Sequence, residues 1–167
     1  EWPANCPPTV VCIQGEAPLI ETFIRKLDGE LKCSVKQAKD GAELVQGSVY
    51  VTADPGRHVL VEAGSPPRLR LIEKDPIDGF RPSADLLFGT MSRAGIPSAA
   101  CVLTGLGNDG AKGLKMLSDN GADTFVQTPE SAMVKEAPEA AIAAGGAKQT
   151  LCLDDMGAAI LKACAQY

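Results

Sequence analysis

Residues 99–128 constrain this chain more than any other stretch. An apolar run "AACVLT", a glycine-rich "TGLGNDGAKG" (Thr104–Gly113), a helix-patterned "AKGLKMLSDNG" and a second apolar run "ADTFVQT" follow one another. A strand, a tight turn, a helix and a strand in that order specify a parallel pair, because antiparallel neighbours need no such crossover. The turn admits two readings. Gly105, Gly107 and Gly110 satisfy G-x-G-x-x-G between a strand and a helix, the context of a dinucleotide-binding turn, with Glu130 downstream as a ribose acceptor. Against that, Asp109 puts a carboxylate in a loop whose amides should face a pyrophosphate, and like charges repel there. The second reading takes Asp109 as a catalytic carboxylate.

The same alternation extends to both ends. "TVVCIQ" reads as a strand, and "APLIETFIRKL" as a helix with Leu19, Ile20, Phe23, Ile24 and Leu27 on one face. "CSVKQA", "GSVYVTA", "HVLVEA" and "RLRLIE" then read as short strands separated by turn-forming residues, an antiparallel hairpin insertion at one edge of the sheet. After "DPIDGFRPS", Ser83 or Asp85 caps a helix through "ADLLFGTMSRAG". Beyond "ADTFVQT" come helices at "APEAAIAAGG" and "DDMGAAILKAC". The expected fold is a three-layer α/β domain over residues 1–167, Rossmann-like, with a mainly parallel sheet and helices on both faces. In such sheets chemistry gathers at the carboxyl ends of the strands, here the loops "QGEAP", "TGLGNDG" and "QTPES".

Composition narrows the function classes. A formal charge of −5 and a pI near 4.9 argue against a broad phosphate-binding surface, so nucleic acid is not an expected partner. The apolar runs are too short to insert in a membrane, and "EWPANCPP" lacks the basic start and apolar core of a signal peptide, so a cytoplasmic setting is expected. Six cysteines form no C-x-x-C pair and read as buried free thiols, with no metal site and no cofactor.

The ordered segments "DGAELVQGSVYVTADPGRHVLV", "DGFRPSADLLFGTM", "CVLTGLGNDGAKGLKML", "GADTFVQTPESAMV" and "APEAAIAAGGA" resemble the catalytic domain of CheB-type chemotaxis protein-glutamate methylesterases. The most specific pieces are similar to that family's R-P-S-x-D-x-L-F segment (Arg81, Pro82, Ser83, Asp85, Leu87, Phe88) and its L-T-G-M-G-x-D-G-A loop, with Leu106 in place of Met. The resemblance implies hydrolysis of methyl esters on receptor glutamates by a serine, a histidine and an aspartate. The histidine takes the hydroxyl proton, and the aspartate holds its tautomer and steadies its charged form. It gives Asp109 the aspartate's role, as the vestige of a triad, since Gly15 stands where the family's Q-H-M-P places its histidine. The family's G-A-S-T-G-G turn and its leading strand have no counterpart in the chain, whose first residues align where that unit ends. A sheet without that strand exposes an edge, through which self-association is expected.

The resemblance therefore implies a degenerate domain that binds chemoreceptor or other signalling-protein helices without hydrolysing them. Two alternatives stand beside it: a fragment of an active esterase whose nucleophilic serine lies outside this sequence, and a nucleotide-binding module built on Gly105–Gly110. Leu106, Gly107, Glu16, Arg81 and His58 are the candidate binding residues. Glu16 is either a base acting through water or a solvated loop charge. Arg81 is expected to pair with Asp85 or Asp109 as an architectural ion pair, with substrate binding as the other role. His58 lies in the hairpins and reads as a structural or substrate-edge residue. Cys12 reads as core rather than a substitute nucleophile. Asp109 and Gly15, both on loops that follow buried parallel strands, are expected to face one another across a shallow cleft.

Overall fold

The computed structural model describes residues 2–166, which form two compact units, one ending at Ser83 and one beginning at Ala84. In the first, β1 (Thr9–Val11), β3 (Ser48–Val51) and β2 (Ser34–Gln37) make a parallel sheet in that order. Helix α1 (Ala17–Glu30) returns the chain from β1 to β2. It sets Ile20 and Ile24 into a core with Val35, Val49 and Val51. The expected five-residue apolar face is narrower than its sequence suggests. Leu19 and Phe23 are 67% and 42% exposed, because a helix lying on a small sheet buries one stripe and turns the neighbouring i, i+4 pair outward.

The middle strands divide differently from expectation. Only β4 (His58–Glu62) and β5 (Arg68–Ile72) form an antiparallel hairpin; β2 and β3, read as part of the same insertion, are parallel members of the sheet. Residues 38–47 cross over without a helix because their polar groups find partners elsewhere. Gly41 N–H donates to the Leu69 carbonyl, Leu69 N–H to that of Ala42 and Leu44 N–H to that of Pro67. The buried Tyr50 hydroxyl donates to the Glu43 carbonyl and accepts from Val45 N–H. Turn-rich "KDGAELVQG" resembles a hairpin loop locally, and only these distant partners make it a crossover.

The second unit runs α2 (Ala84–Ala94), β6 (Ala99–Val102), α3 (Ala111–Asp119), β7 (Asp123–Gln127), α4 (Glu136–Ala143), β8 (Gln149–Leu151) and α5 (Leu153–Cys164). Its sheet is parallel in the order β6-β7-β8. Alternation along the strands builds three layers. Ala100, Val102 and Val126 meet Leu114 and Leu117 of α3 and Ala137 and Ala141 of α4, whereas Phe125 packs with Met156 and Ala163 of α5, beside Ala99 and Cys101. Among the described residues no helix is long and apolar enough to cross a membrane.

Candidate functional site

The loop after β6 is fastened to the loop after β7 by a set of hydrogen bonds. Gln127, buried at the end of β7, accepts from Thr104 N–H at 2.8 Å and donates to the Ser131 carbonyl at 3.0 Å. The Thr104 hydroxyl donates to the Val134 carbonyl and accepts from Val134 N–H; Gly105 N–H shares that carbonyl, and Ala137 N–H donates to the Gly105 carbonyl. Gly107, at φ +73°, donates its amide to Glu136 Oε2 at 2.8 Å. This positive φ is a conformation that a side chain disfavours, so glycine is required there. The frame leaves Leu106 72% exposed and Met133 95% exposed.

Asp109 ends the same loop. Its Oδ2 accepts from Ala84 N–H at 2.6 Å and its Oδ1 from Asp85 N–H at 3.0 Å. Both are orphan donors at the start of α2, where a carboxylate also meets the positive end of the helix dipole. Asp85 returns the contact: its Oδ1 accepts from Gly113 N–H, in the first turn of α3, at 2.7 Å. Two helices thus exchange carboxylate caps. Gly113 permits the approach, since a Cβ there would come within 2.7 Å of Phe88 Cβ and 2.9 Å of the Asp85 backbone. Burial, reinforced by the Asp109 charge, pushes the Asp85 carboxyl above its usual range despite the Gly113 hydrogen bond. At the start of α2, where Ser83 or Asp85 is the expected cap, Asp109 supplies acceptors for two amides. A side chain far along the chain can reach those amides only in the folded state.

In the first unit, Gly15 and Glu16 follow β1. The strand end is tied to β3 by Thr52, whose hydroxyl accepts from Ile13 N–H and donates to the Ile13 carbonyl, and Gln14 Nε2 donates to the Pro82 carbonyl. Gly15 is exposed, and a Cβ on it would meet only Ile20, at 3.5 Å. Glu16 starts α1 with its backbone carbonyl, which accepts from Leu19 and Ile20 N–H; its exposed side chain makes no cap.

His58 is fully buried. Its Nδ1 accepts from Ser83 N–H at 3.2 Å and its Nε2 donates to the Asp75 carbonyl at 3.1 Å, which is the pattern of a neutral imidazole protonated on Nε2. Arg81 is bound to main chain of its own unit. Its Nε donates to the Pro55 carbonyl at 2.7 Å and its Nη1 to that of Lys74 at 3.3 Å, because a planar guanidinium can satisfy two main-chain acceptors at once. Arg81 lines an open cavity of about 510 Å³ with Asp54, Arg57, Glu73, Lys74 and Asp75. There the Gly56 N–H, then Arg57, hold the Asp54 carboxyl below its usual range. No cluster of three or more metal-ligating side chains occurs among the described residues.

A strand-turn-helix whose loop carries an aspartate is the arrangement the sequence resemblance implies; that this aspartate also caps the helix after R-P-S is visible only in the fold. The profile of the CheB methylesterase family matches residues 1–160. The chain belongs to that family. It is 37% identical over 163 residues to the protein-glutamate methylesterase/protein-glutamine glutaminase of Rhizobium etli, an alignment covering 97% of this chain and 47% of that protein. To the Agrobacterium fabrum protein of the same description it is 36% identical, with 97% and 46% covered. The chain spans about half the length of the curated relatives it matches. The Thermotoga maritima CheB methylesterase catalytic domain superposes with a TM-score of 0.90 at 25% identity, covering 97% of this chain and 87% of that one.

Sequence reasoning missed Gln127, Thr104 and Glu136, which fix the CheB-type loop, and Asp85 as the partner of Asp109. Gln127 carried a signal: a glutamine closing the buried run "DTFVQ" needs partners for both ends of its amide. Glu136 carried none, because an acid in a first helical turn is ordinary.

Proposed function

We propose that this chain acts as a single CheB-type domain that binds methyl-accepting receptor or other signalling-protein helices in the cytoplasm and does not itself hydrolyse their glutamyl esters. One observation carries the reading. The chain has a single histidine, and it is buried with both ring nitrogens bound to the backbone, while Gly15 stands where the family resemblance puts the base. A hydroxyl attacks an ester poorly until a base takes its proton, and glycine moves no proton.

The test is methanol release from methylated receptor helices, compared with a denatured control, together with binding of the same helices. Binding without methanol release is expected. Release above the control, lost in Asp109→Asn, overturns the reading. Gly15→His alone is expected to stay inactive, and Gly15→His with a grafted leading strand and serine turn to gain turnover. The length of the relatives favours a second reading, in which a longer protein carrying this chain supplies the nucleophile; methanol release by that protein but not by this chain selects it. Self-association is a further mode of binding, supported by β1 and β6, each at an outer position of a three-stranded sheet. Light scattering across concentration tests it.

A further inference from the structure

At the end of the first sheet opposite Gly15, two cysteines meet. Cys6 precedes β1 and Cys33 precedes β2, so in a parallel sheet both lie at the amino ends of the strands. Cys6 is 0% exposed and Cys33 4%, and both belong to the core beneath α1, with Trp2 packed against it. The backbone brackets them: Gly47 N–H donates to the Cys6 carbonyl at 2.8 Å, and Ser34 N–H, next to Cys33, donates to the Gly47 carbonyl at 2.9 Å. Gly47 has φ +77°, and a Cβ there would come within 2.7 Å of the Ala4 carbonyl oxygen, so glycine is what allows the 4–6 segment to lie this close. Both side chains belong to that one core, and Cys33 is near enough to Cys6 to influence its ionisation. The Trp2 indole N–H is buried and has no hydrogen-bond partner among the described residues.

We propose that Cys6 and Cys33 are a redox-responsive dithiol that a peroxide closes to a disulfide, tying the segment before β1 to the start of β2. One thiol gives up its proton and attacks a peroxide oxygen as the thiolate, the O–O bond breaks, and a sulfenic acid forms as the departing hydroxide takes up that proton and leaves as water. The second thiol then attacks that sulfur, the S–O bond breaks, and a second water leaves with the thiol proton. Two thiols are oxidised by two electrons and one hydrogen peroxide is reduced to two waters. Burial, and next the neighbouring Cys33, push the Cys6 thiol above its usual range, so a peroxide reaches and oxidises this pair only when the core is exposed, as low urea does. Cys152, by contrast, is exposed. The disulfide closes a loop holding β1 and α1, which constrains the unfolded chain.

The experiment blocks accessible thiols of the native chain with iodoacetamide, adds hydrogen peroxide with and without low urea, then unfolds the protein, labels remaining thiols with a heavier reagent and maps the peptides by mass spectrometry. The expected result is a peptide joining Cys6 to Cys33, two hydrogens lighter than the sum of its parts. It should be absent after dithiothreitol and absent in Cys6→Ser and Cys33→Ser. The cross-linked chain should melt several degrees higher, and reduction should reverse the rise. Recovery of the heavier label on both cysteines of the parent chain at every peroxide dose, with and without urea, overturns the proposal. So does a cross-link from either cysteine to Cys12 or Cys152 instead; both readouts use the parent chain and do not depend on the variants folding.

Discussion

Asp109 serves α2 as a helix cap, whatever chemistry the family resemblance attaches to it. Replacing it by alanine leaves two amides at the start of α2 without their acceptor, and a lost cap of this kind costs about 1–2 kcal/mol. Thermal melting of Asp109→Ala should therefore fall by several degrees. Asp109→Asn, with one acceptor oxygen and no charge, should lie between the two; an unchanged melting temperature in both variants removes the capping role. An effect of Asp109→Ala on any activity is for this reason interpretable only beside its stability. Gly15 behaves in the opposite way. Its Cβ position is open apart from Ile20, at 3.5 Å, and its φ lies outside the left-handed region that favours glycine. Gly15→His is thus expected to change stability by no more than about 0.5 kcal/mol, the range of ordinary surface substitutions, as thermal melting would show. The presence of Asp109 in a glycine-rich loop was legible in the sequence. Its partners were not, because the amides of Ala84 and Asp85 carry no side-chain signature.

The pairing of α2 with α3 makes two further predictions at the scale of elements. Gly113→Ala would place a methyl 2.7 Å from Phe88 Cβ and 2.9 Å from the Asp85 backbone. Part of that clash is with main chain, so the helices must separate, at a cost of about 1–3 kcal/mol by analogy with overpacked cores; urea denaturation should show it. The buried Asp85 carboxyl gives a pH signature. Its ionisation is pushed up by burial and by Asp109, so the charged form is disfavoured in the folded state. Stability is regained as pH falls from neutral through the raised value toward that of the unfolded chain. Removing the titration by Asp85→Asn should make the variant's melting temperature, relative to the parent, higher at pH 7 than near pH 4. A difference that stays constant or grows on acidification contradicts the burial effect. The helices themselves were readable from apolar spacing, and α2, α3 and α5 lie where their patterns put them. The exchange of caps between α2 and α3 joins residues that no local window contains.

Over the whole chain, net charge and the state of the glycine-rich turn argue together against nucleotides. The formal charge is −5, the Gly107 amide is already donated to Glu136, and the Asp109 carboxylate closes the turn. Millimolar NAD or ATP should leave the melting temperature unchanged, since a ligand that binds the native state must raise it by mass action. A saturable rise, abolished by a bulky residue at Gly107, would restore the dinucleotide reading. The sequence by itself determined the α/β class, the parallel βαβ order from β6 to β7, the β4–β5 hairpin and the loop that carries Asp109. Each of these is written in short-range periodicity and turn chemistry, because strands and helices expose their apolar residues at fixed spacings. Tertiary structure alone decided that β2 and β3 run parallel, that Leu19 and Phe23 face outward, that Arg81 donates to the main-chain carbonyls of Pro55 and Lys74 and that the carboxylates of Asp85 and Asp109 cap each other's helices. All four depend on what backbone donors, acceptors and apolar faces find beside them once distant segments are brought together, and a local pattern does not encode its partner.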